Sequence, residues 1–253
     1  MTSGFDDLAR AYSASEPPKR RSEIGAFLDW IGPWHAGQAL DVASGPATIA
    51  RMLAPRVKRV FALDLSHAML SEAGRLEALP ANLFLAGADV EHLPFQEAAF
   101  DLVTCAYALA NLRDLPAMLR ESVRVVARSG RIAFMDVVAP EDSSQCDSLN
   151  RLEQMRSEFY TRIRQHSECM ETFRNAGLAL EKSELHEGRQ RMRDWLRLSP
   201  AAADRERAKE LRHALLDLGD KAGLRPRPGS DGEVEFCYQT AWFLLRRVSP
   251  RVG

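Results

Sequence analysis

The sequence is poor in features that mark several protein classes. It has four cysteines in 253 residues, and Cys105, Cys146, Cys169 and Cys237 lie far apart with no C-x-x-C pair. That scatter excludes the spacing of a zinc cage or a disulfide framework and points to reduced thiols in a cytoplasmic protein. No stretch approaches the roughly 18 uninterrupted apolar residues of a membrane helix. The opening "MTSGFDDLARAYSASEPPKRR" carries acids early and lacks the apolar segment of a secretion signal. Neither sign of charge dominates: the net charge is -1, and the short cluster Lys19-Arg20-Arg21 is followed by Glu23. Nucleic acid and anionic membranes are therefore not expected partners. His35, His67, His92, His186 and His213 have no metal-ligand spacing, so no metal is expected.

What is present is a globular composition, 45% hydrophobic and 27% charged, in a chain long enough to bury a large core. One domain over residues 1–253 is the expected organisation. It comprises an N-terminal flap and helix (1–36), a core (37–140), and a region of helical lid elements with the last two strands (141–253). In "RRSEIGAFLDWIGPW", Ile24, Phe27, Leu28 and Ile31 recur at helical spacing. Ser22 is the expected N-cap of that helix, with Pro17-Pro18 breaking the chain before it and Gly32-Pro33 ending it.

From Gln38 onward, apolar runs suited to strands alternate with helical stretches. The runs are "ALDVA" (39–43), "RVFALDL" (59–65), "NLFLAGA" (82–88), "FDLVTCAYA" (100–108) and "GRIAFMDVV" (130–138). Strands without polar alternation, separated by helices, predict a parallel sheet covered on both faces. After Pro140 the sequence predicts one or two helices up to Gly177, a sixth strand at 178–185, a charged helical stretch, and a seventh strand at 233–247.

The polar residues fall at the strand ends, where open parallel sheets bind ligands. The first run delivers Asp41 and the small-residue turn Ala43-Ser44-Gly45-Pro46-Ala47, which lets a ligand approach backbone N–H groups and a helix N-terminus. The same turn suits any tight strand-to-helix junction. The second run ends in Asp64, 23 residues after Asp41, an offset at which an acid accepts hydrogen bonds from a ribose hydroxyl pair; alone, Asp64 also suits capping of the next helix. The third ends in Asp89-Val90, an acid for an exocyclic amine beside an apolar side chain for a ring face.

The succession "LDVASGPATIA", "VFALDLSHAML", "AGADVEHLPFQEAAFDLVTCAYALANLRD" and "LRESVRVVARSGRIAFMDVVAP" resembles the class I S-adenosylmethionine-dependent methyltransferases. Within them it resembles the small-molecule branch that includes the ubiquinone and menaquinone biosynthesis methyltransferases. The resemblance covers residues 37–140 closely and the remainder loosely. It implies a Rossmann-like α/β fold, a doubly wound sheet of seven mostly parallel strands with helical additions forming a lid, and S-adenosylmethionine as cofactor. It also implies roles. Asp41 and the backbone of Ala43, Ser44 and Gly45 would hold the methionine end. Asp64 would take the ribose hydroxyls, with Leu65 and Met69 beside it. Asp89 would meet the adenine amine, Val90 the ring, and the Ala106 carbonyl the ammonium, while Tyr12 would close over the cofactor from the flap. Two departures stand out. Ala43 and Ala47 replace glycines of the family's D-x-G-x-G-x-G turn, which predicts a narrowed turn, and Asn111 stands where relatives frequently place histidine.

The expected reaction is in-line transfer of the methyl group to an O, C or N nucleophile of a small, aromatic or quinone-like acceptor, mainly by positioning. If a base assists, the candidates are Tyr107, Tyr160 and His166. Trp195, Leu196 and Leu198 are candidates for the pocket lining or for a helix core stripe. The competing readings are a protein that binds the same cofactor without methylating, a macromolecule methyltransferase, and a nicotinamide enzyme. Pro46 in the middle of the turn opposes the last.

Overall fold

In the computed structural model, the described residues are 6, 8–10, 18–32, 37–76, 78–158, 160–199, 204–229 and 232–248. Helix α1 spans Pro18–Ile31 and buries Ile24, Phe27, Leu28 and Ile31. It begins at Pro18, so Ser22 is an interior residue and not its N-cap. Proline is tolerated at a first helical position, where its missing N–H has no partner to lose.

Strands β1 (Gln38–Val42), β2 (Arg59–Asp64), β3 (Leu83–Gly87), β4 (Phe100–Ala106) and β5 (Val126–Val138) pair in parallel in the order β3-β2-β1-β4-β5. Beyond β5 the sheet turns antiparallel. Strand β8 (Val234–Arg247) pairs with β5, and β6 (Leu178–Arg191) pairs with β8 on its far side. These are the seven strands expected, supplemented by a two-residue strand, β7 (Arg227–Pro228), against β8.

Both faces of the sheet are covered, as apolar runs without polar alternation require. Neighbouring residues point to opposite sides: Val103 and Phe134 join Met118, Leu119 and Phe173 on one face. Leu102 and Ala133 join Phe27, Leu28, Ile49 and Leu53 on the other. The first face is covered by α4 (Leu115–Val125) and α6 (His166–Asn175), the second by α1 and α2 (Thr48–Leu53). Helix α3 (His67–Leu76) follows β2.

A third apolar cluster lies beyond the sheet edge, formed by α5 (Ser143–Arg156), α7 (Met192–Arg197), α8 (Arg205–Leu218) and the start of β8. Strand β5 ends at Val138, opposite Gln239, whereas β6 and β8 continue pairing from Gly188–Tyr238 to Arg191–Glu235. The hairpin therefore overhangs the sheet and carries Phe236 and Tyr238 into this cluster. Strand β6 runs six residues past the predicted end, because its polar segment "EGRQR" is held by the ladder to β8 and not by its own strand propensity.

Two glycines give opposite predictions. A Cβ at Gly130 would lie 2.7 Å from a Val126 methyl and 2.9 Å from the Asp101 carbonyl oxygen, whereas at Gly74 in α3 nothing lies within 4 Å. Gly130→Ala should lower unfolding free energy by about 1–3 kcal/mol through overpacking. Gly74→Ala should raise it by about 0.4–1 kcal/mol through lost unfolded-state entropy. Denaturant titration of both variants checks the signs.

Candidate active site

Strand order reverses between β1 and β4, and Asp41 sits at that reversal. Its side chain is 1% exposed. One carboxylate oxygen accepts a 2.8 Å bond from the Thr104 hydroxyl on β4, while Oδ2 is buried without a hydrogen-bond partner. Loss of water drives its pKa up from 3.8 to about 7, and the neighbouring Asp64 charge adds to the rise against the Thr104 bond.

The turn after β1 is strained. Ala43 and Ala47 both have left-handed φ values, 51° and 61°, as does Gly45 at 53°. For an alanine this costs on the order of 1–2 kcal/mol relative to the right-handed region. The turn keeps the course of a glycine-rich loop with a methyl at two of its three left-handed positions. Two of its N–H groups are already engaged within the protein. Ser44 N–H donates to the Leu63 carbonyl at 2.8 Å, and Gly45 N–H donates to Asp64 Oδ2 at 2.8 Å. The polar atoms left over are side-chain atoms: Asp41 Oδ2 and the Ser44 hydroxyl, both buried without partners. An acceptor and a hydroxyl on one turn suit the ammonium and carboxylate of an amino-acid group.

Asp64 is a bridge. Its second oxygen accepts from Ser66 N–H at 2.8 Å, and Ser66 in turn caps α3 by accepting from Met69 N–H at 3.1 Å. Capping of α3 thus belongs to Ser66. Each Asp64 oxygen carries one backbone bond and retains lone-pair capacity for a diol. Burial raises its pKa, opposed by backbone N–H bonds from Ser66, Gly45 and Leu65, and the nearby Asp6 carboxylate raises it further. Asp6 also bonds the Ser66 hydroxyl, so this segment passes beside the expected ribose position.

Register sets the depths of the three acids: Asp41 is level with Ala62, Asp64 with Gly87, and Asp89 lies two residues beyond. They therefore step outward along adjacent strands. Asp89 is exposed and accepts from Glu91 N–H at 2.9 Å. Val90 is 8% exposed and packs in the core cluster with Leu63, whereas Leu65 is 50% exposed directly after Asp64. Met69 is buried, and Ala106 ends β4, half-buried. Tyr12 lies outside the described residues.

A cavity opens beyond the ends of β4 and β5, beneath the overhanging hairpin. Tyr107, Asp136, Glu153, Arg156, Tyr160 and Trp195 are among its lining residues. Tyr107 has φ 56°, a strained conformation for an aromatic residue. The turn after it is held by Asp136 on β5, whose carboxylate accepts from Leu109 N–H at 2.7 Å. Trp195 and Leu198 line the cavity, so the expectation of a mere helix core stripe holds for neither alone. His166 is not among the lining residues: it stacks on Phe243 with 5.1 Å between ring centres and bonds Ser183 at 2.8 Å. Sequence reasoning missed Asp136, Glu153 and Arg156. The signal for Asp136 was an acid inside an otherwise apolar strand, and for the other two an opposite-charge pair at i, i+3 on a helix.

The fold and the acids at the carboxyl ends of β1 to β3 form a crevice whose chemistry suits a nucleoside cofactor. Residues 40–134 match the model of the methyltransferase domain family. The uncharacterized methyltransferase YcgJ of Bacillus subtilis is 28% identical over 205 residues, 80% of this chain and 81% of that protein. The YcgJ crystal structure shares the fold with a TM-score of 0.80 at 22% identity, covering 90% of this chain and 98% of that one. The ubiquinone/menaquinone biosynthesis C-methyltransferase UbiE of Dinoroseobacter shibae is 38% identical over 44% of this chain and 46% of its own length. The malonyl-[acyl-carrier protein] O-methyltransferase of Serratia marcescens is 36% identical over 55% and 53%. The chain thus spans about half the length of these last two relatives. Over residues 40–134 the chain is thus similar to the methyltransferase domain family, and the relatives it resembles carry methyltransferase names.

Asp41 makes stability depend on pH with a definite sign. Between about pH 4 and 7 the folded chain holds a proton there that the unfolded chain has lost, so stability falls as pH rises through that window. The span corresponds to at most on the order of 4 kcal/mol. Asp41→Asn should make this slope shallower in chemical unfolding measured across the window; an unchanged slope would remove the assignment.

Proposed function

We propose that this chain transfers a methyl group from S-adenosylmethionine to a small aromatic acceptor seated in the cavity beyond β4 and β5. We read it as one domain of residues 1–253, acting in the cytoplasm. Four unpaired cysteines and a nearly balanced net charge support that setting and oppose a nucleic-acid substrate. Among the described residues, no helix is long and apolar enough to cross a membrane. The relatives named for quinone methylation support an aromatic acceptor.

The observation that carries the reading is the pair of buried, unpartnered polar atoms on one turn, Asp41 Oδ2 and Ser44 Oγ, beside the Asp64 carboxylate. Asp41 holds the ammonium of the methionine end together with the Ala106 carbonyl. Ser44 and the Ala43–Gly45 turn hold the carboxylate. Asp64 takes the ribose hydroxyls, Asp89 the adenine amine, and Leu65, Met69 and Val90 enclose the ring. When bound, S-adenosylmethionine supplies a methyl group already activated by its sulfonium. The protein's task is alignment and exclusion of water, worth on the order of 7–11 kcal/mol in favourable cases. Tyr107 sits between the two sites, at the end of the strand that carries Ala106, and Tyr160 faces the same cavity. These two are the residues placed to touch an acceptor.

Two calorimetric outcomes test the cofactor assignment. Asp64→Ala should weaken S-adenosylhomocysteine binding several-fold or more with the fold intact by circular dichroism; unchanged affinity would remove the ribose role. Binding near pH 7 should release protons, because an ammonium beside Asp41 pulls its raised pKa down. A binding enthalpy independent of buffer ionisation heat contradicts the ammonium placement.

A further inference from the structure

The acceptor cavity has a composition more specific than an apolar slot. Its walls include five aromatic side chains, Tyr107, Tyr160, Trp195, Phe236 and Tyr238. Four carboxylates line it, Glu23, Asp136, Glu153 and Asp194, against two guanidiniums, Arg156 and Arg197.

The two arginines do not offset the acids equally. Arg156 is 7% exposed and committed to the protein. It contacts Glu153 at 2.6 Å, and its Nη1 donates to the Trp195 and Leu198 carbonyls at 3.4 and 3.3 Å. Arg197 is exposed on the outer part of α7. On the acid side, Glu153 is spent on Arg156 and on Trp195 Nε1 at 2.9 Å. Asp136 accepts the Leu109 and Val137 N–H bonds, which fix its position. Glu23 on α1 and Asp194 on α7 have no hydrogen-bond or ion-pair partner among the described residues, and both are half-buried.

The molecule already shows what these walls accept. The Arg156 guanidinium lies 5.0 Å from the Tyr160 ring centre and 5.3 Å from that of Trp195, with Glu153 as counter-ion. Aromatic faces beside carboxylates attract cations, and more strongly where water is partly excluded. An anionic ligand would meet the Glu23 and Asp194 carboxylates, against which the exposed Arg197 is the one lining guanidinium not already bound to the protein.

Resting on the proposed methyltransferase reading, we propose that the acceptor is a small aromatic compound bearing a positively charged nitrogen, recognised by the aromatic walls together with Glu23 and Asp194. Acidic acceptors, such as carboxylates and phosphates, are rejected by the same groups.

The test uses the full chain saturated with S-adenosylhomocysteine and three probes of similar size: 2-phenylethylammonium, 2-phenylethanol and 3-phenylpropionate. Calorimetry should show the ammonium binding at least about tenfold tighter than the neutral alcohol, a difference the charge must supply, with the carboxylate weakest. Glu23→Gln combined with Asp194→Asn should remove most of that preference while the alcohol binds as before. Equal or tighter binding of the alcohol or the carboxylate overturns the proposal. So does absence of ammonium binding, or a preference that survives the double substitution. Failure of S-adenosylhomocysteine itself to bind would instead bring down the cofactor assignment, and this inference with it.

Discussion

A carboxyl group sealed from water at the reversal of a parallel sheet is expensive to fold, and the organisation of this protein turns on that one group. Asp41 accepts from one side chain, that of Thr104 on the neighbouring strand, and its other oxygen is buried outside hydrogen-bond geometry. A buried acceptor left unpaired costs about 1–3 kcal/mol. The turn beside it adds strain, since Ala43 and Ala47 adopt a left-handed conformation that glycine would adopt without penalty. Both costs fall within a few residues of one another, at the place where the sheet topology opens a crevice. Poor local energetics at one turn, inside a well-packed sheet, mark a site arranged for a ligand.

The same turn is locked to the next strand through Asp64. By accepting from Gly45 N–H and from Ser66 N–H, this side chain ties the end of β1, the end of β2 and the start of α3 into one unit. Its charge is thereby held in place before any ligand arrives, which lowers the ordering cost of binding. Asp6 lies beside the same unit, accepting from the Ser66 hydroxyl.

The second half of the chain builds the other site by a different device. Strands β6 and β8 extend past the end of β5 and lift Phe236 and Tyr238 over the sheet edge, while α5 and α7 close the remaining sides through the Glu153–Arg156–Trp195 network. The proposed cofactor and acceptor sites meet at the end of β4. There Ala106 and Tyr107 are consecutive, and Asp136 holds the following turn. This division lets the first half of the architecture stay constant while the acceptor changes through the lid alone.

Much of the fold was legible because its determinants are local. Apolar runs of five to nine residues alternating with helical periodicity specify a parallel sheet with covered faces, and acids at the ends of three such runs specify where a ligand binds. The strand ends also placed Asp41, Asp64 and Asp89 in order, since consecutive βα units lay neighbouring strands side by side. What no local pattern carried was long-range. The extra length of β6 comes from a ladder to residues some fifty positions later, so a polar segment became strand and brought two aromatic residues to the acceptor cavity. His166 reads as a possible base until Phe243 and Ser183 are seen to occupy its ring face and nitrogen. The donors of the Ala43–Gly45 turn were expected to face a ligand, but β2 takes two of them. The sequence by itself determined the secondary structure, the layer order and the sheet edge that carries the chemistry, because hydrophobic period and strand-end residues act over a few positions. Only the tertiary structure decided which polar atoms were left without partners and which charges shared a cavity, because burial and pairing depend on groups distant in sequence.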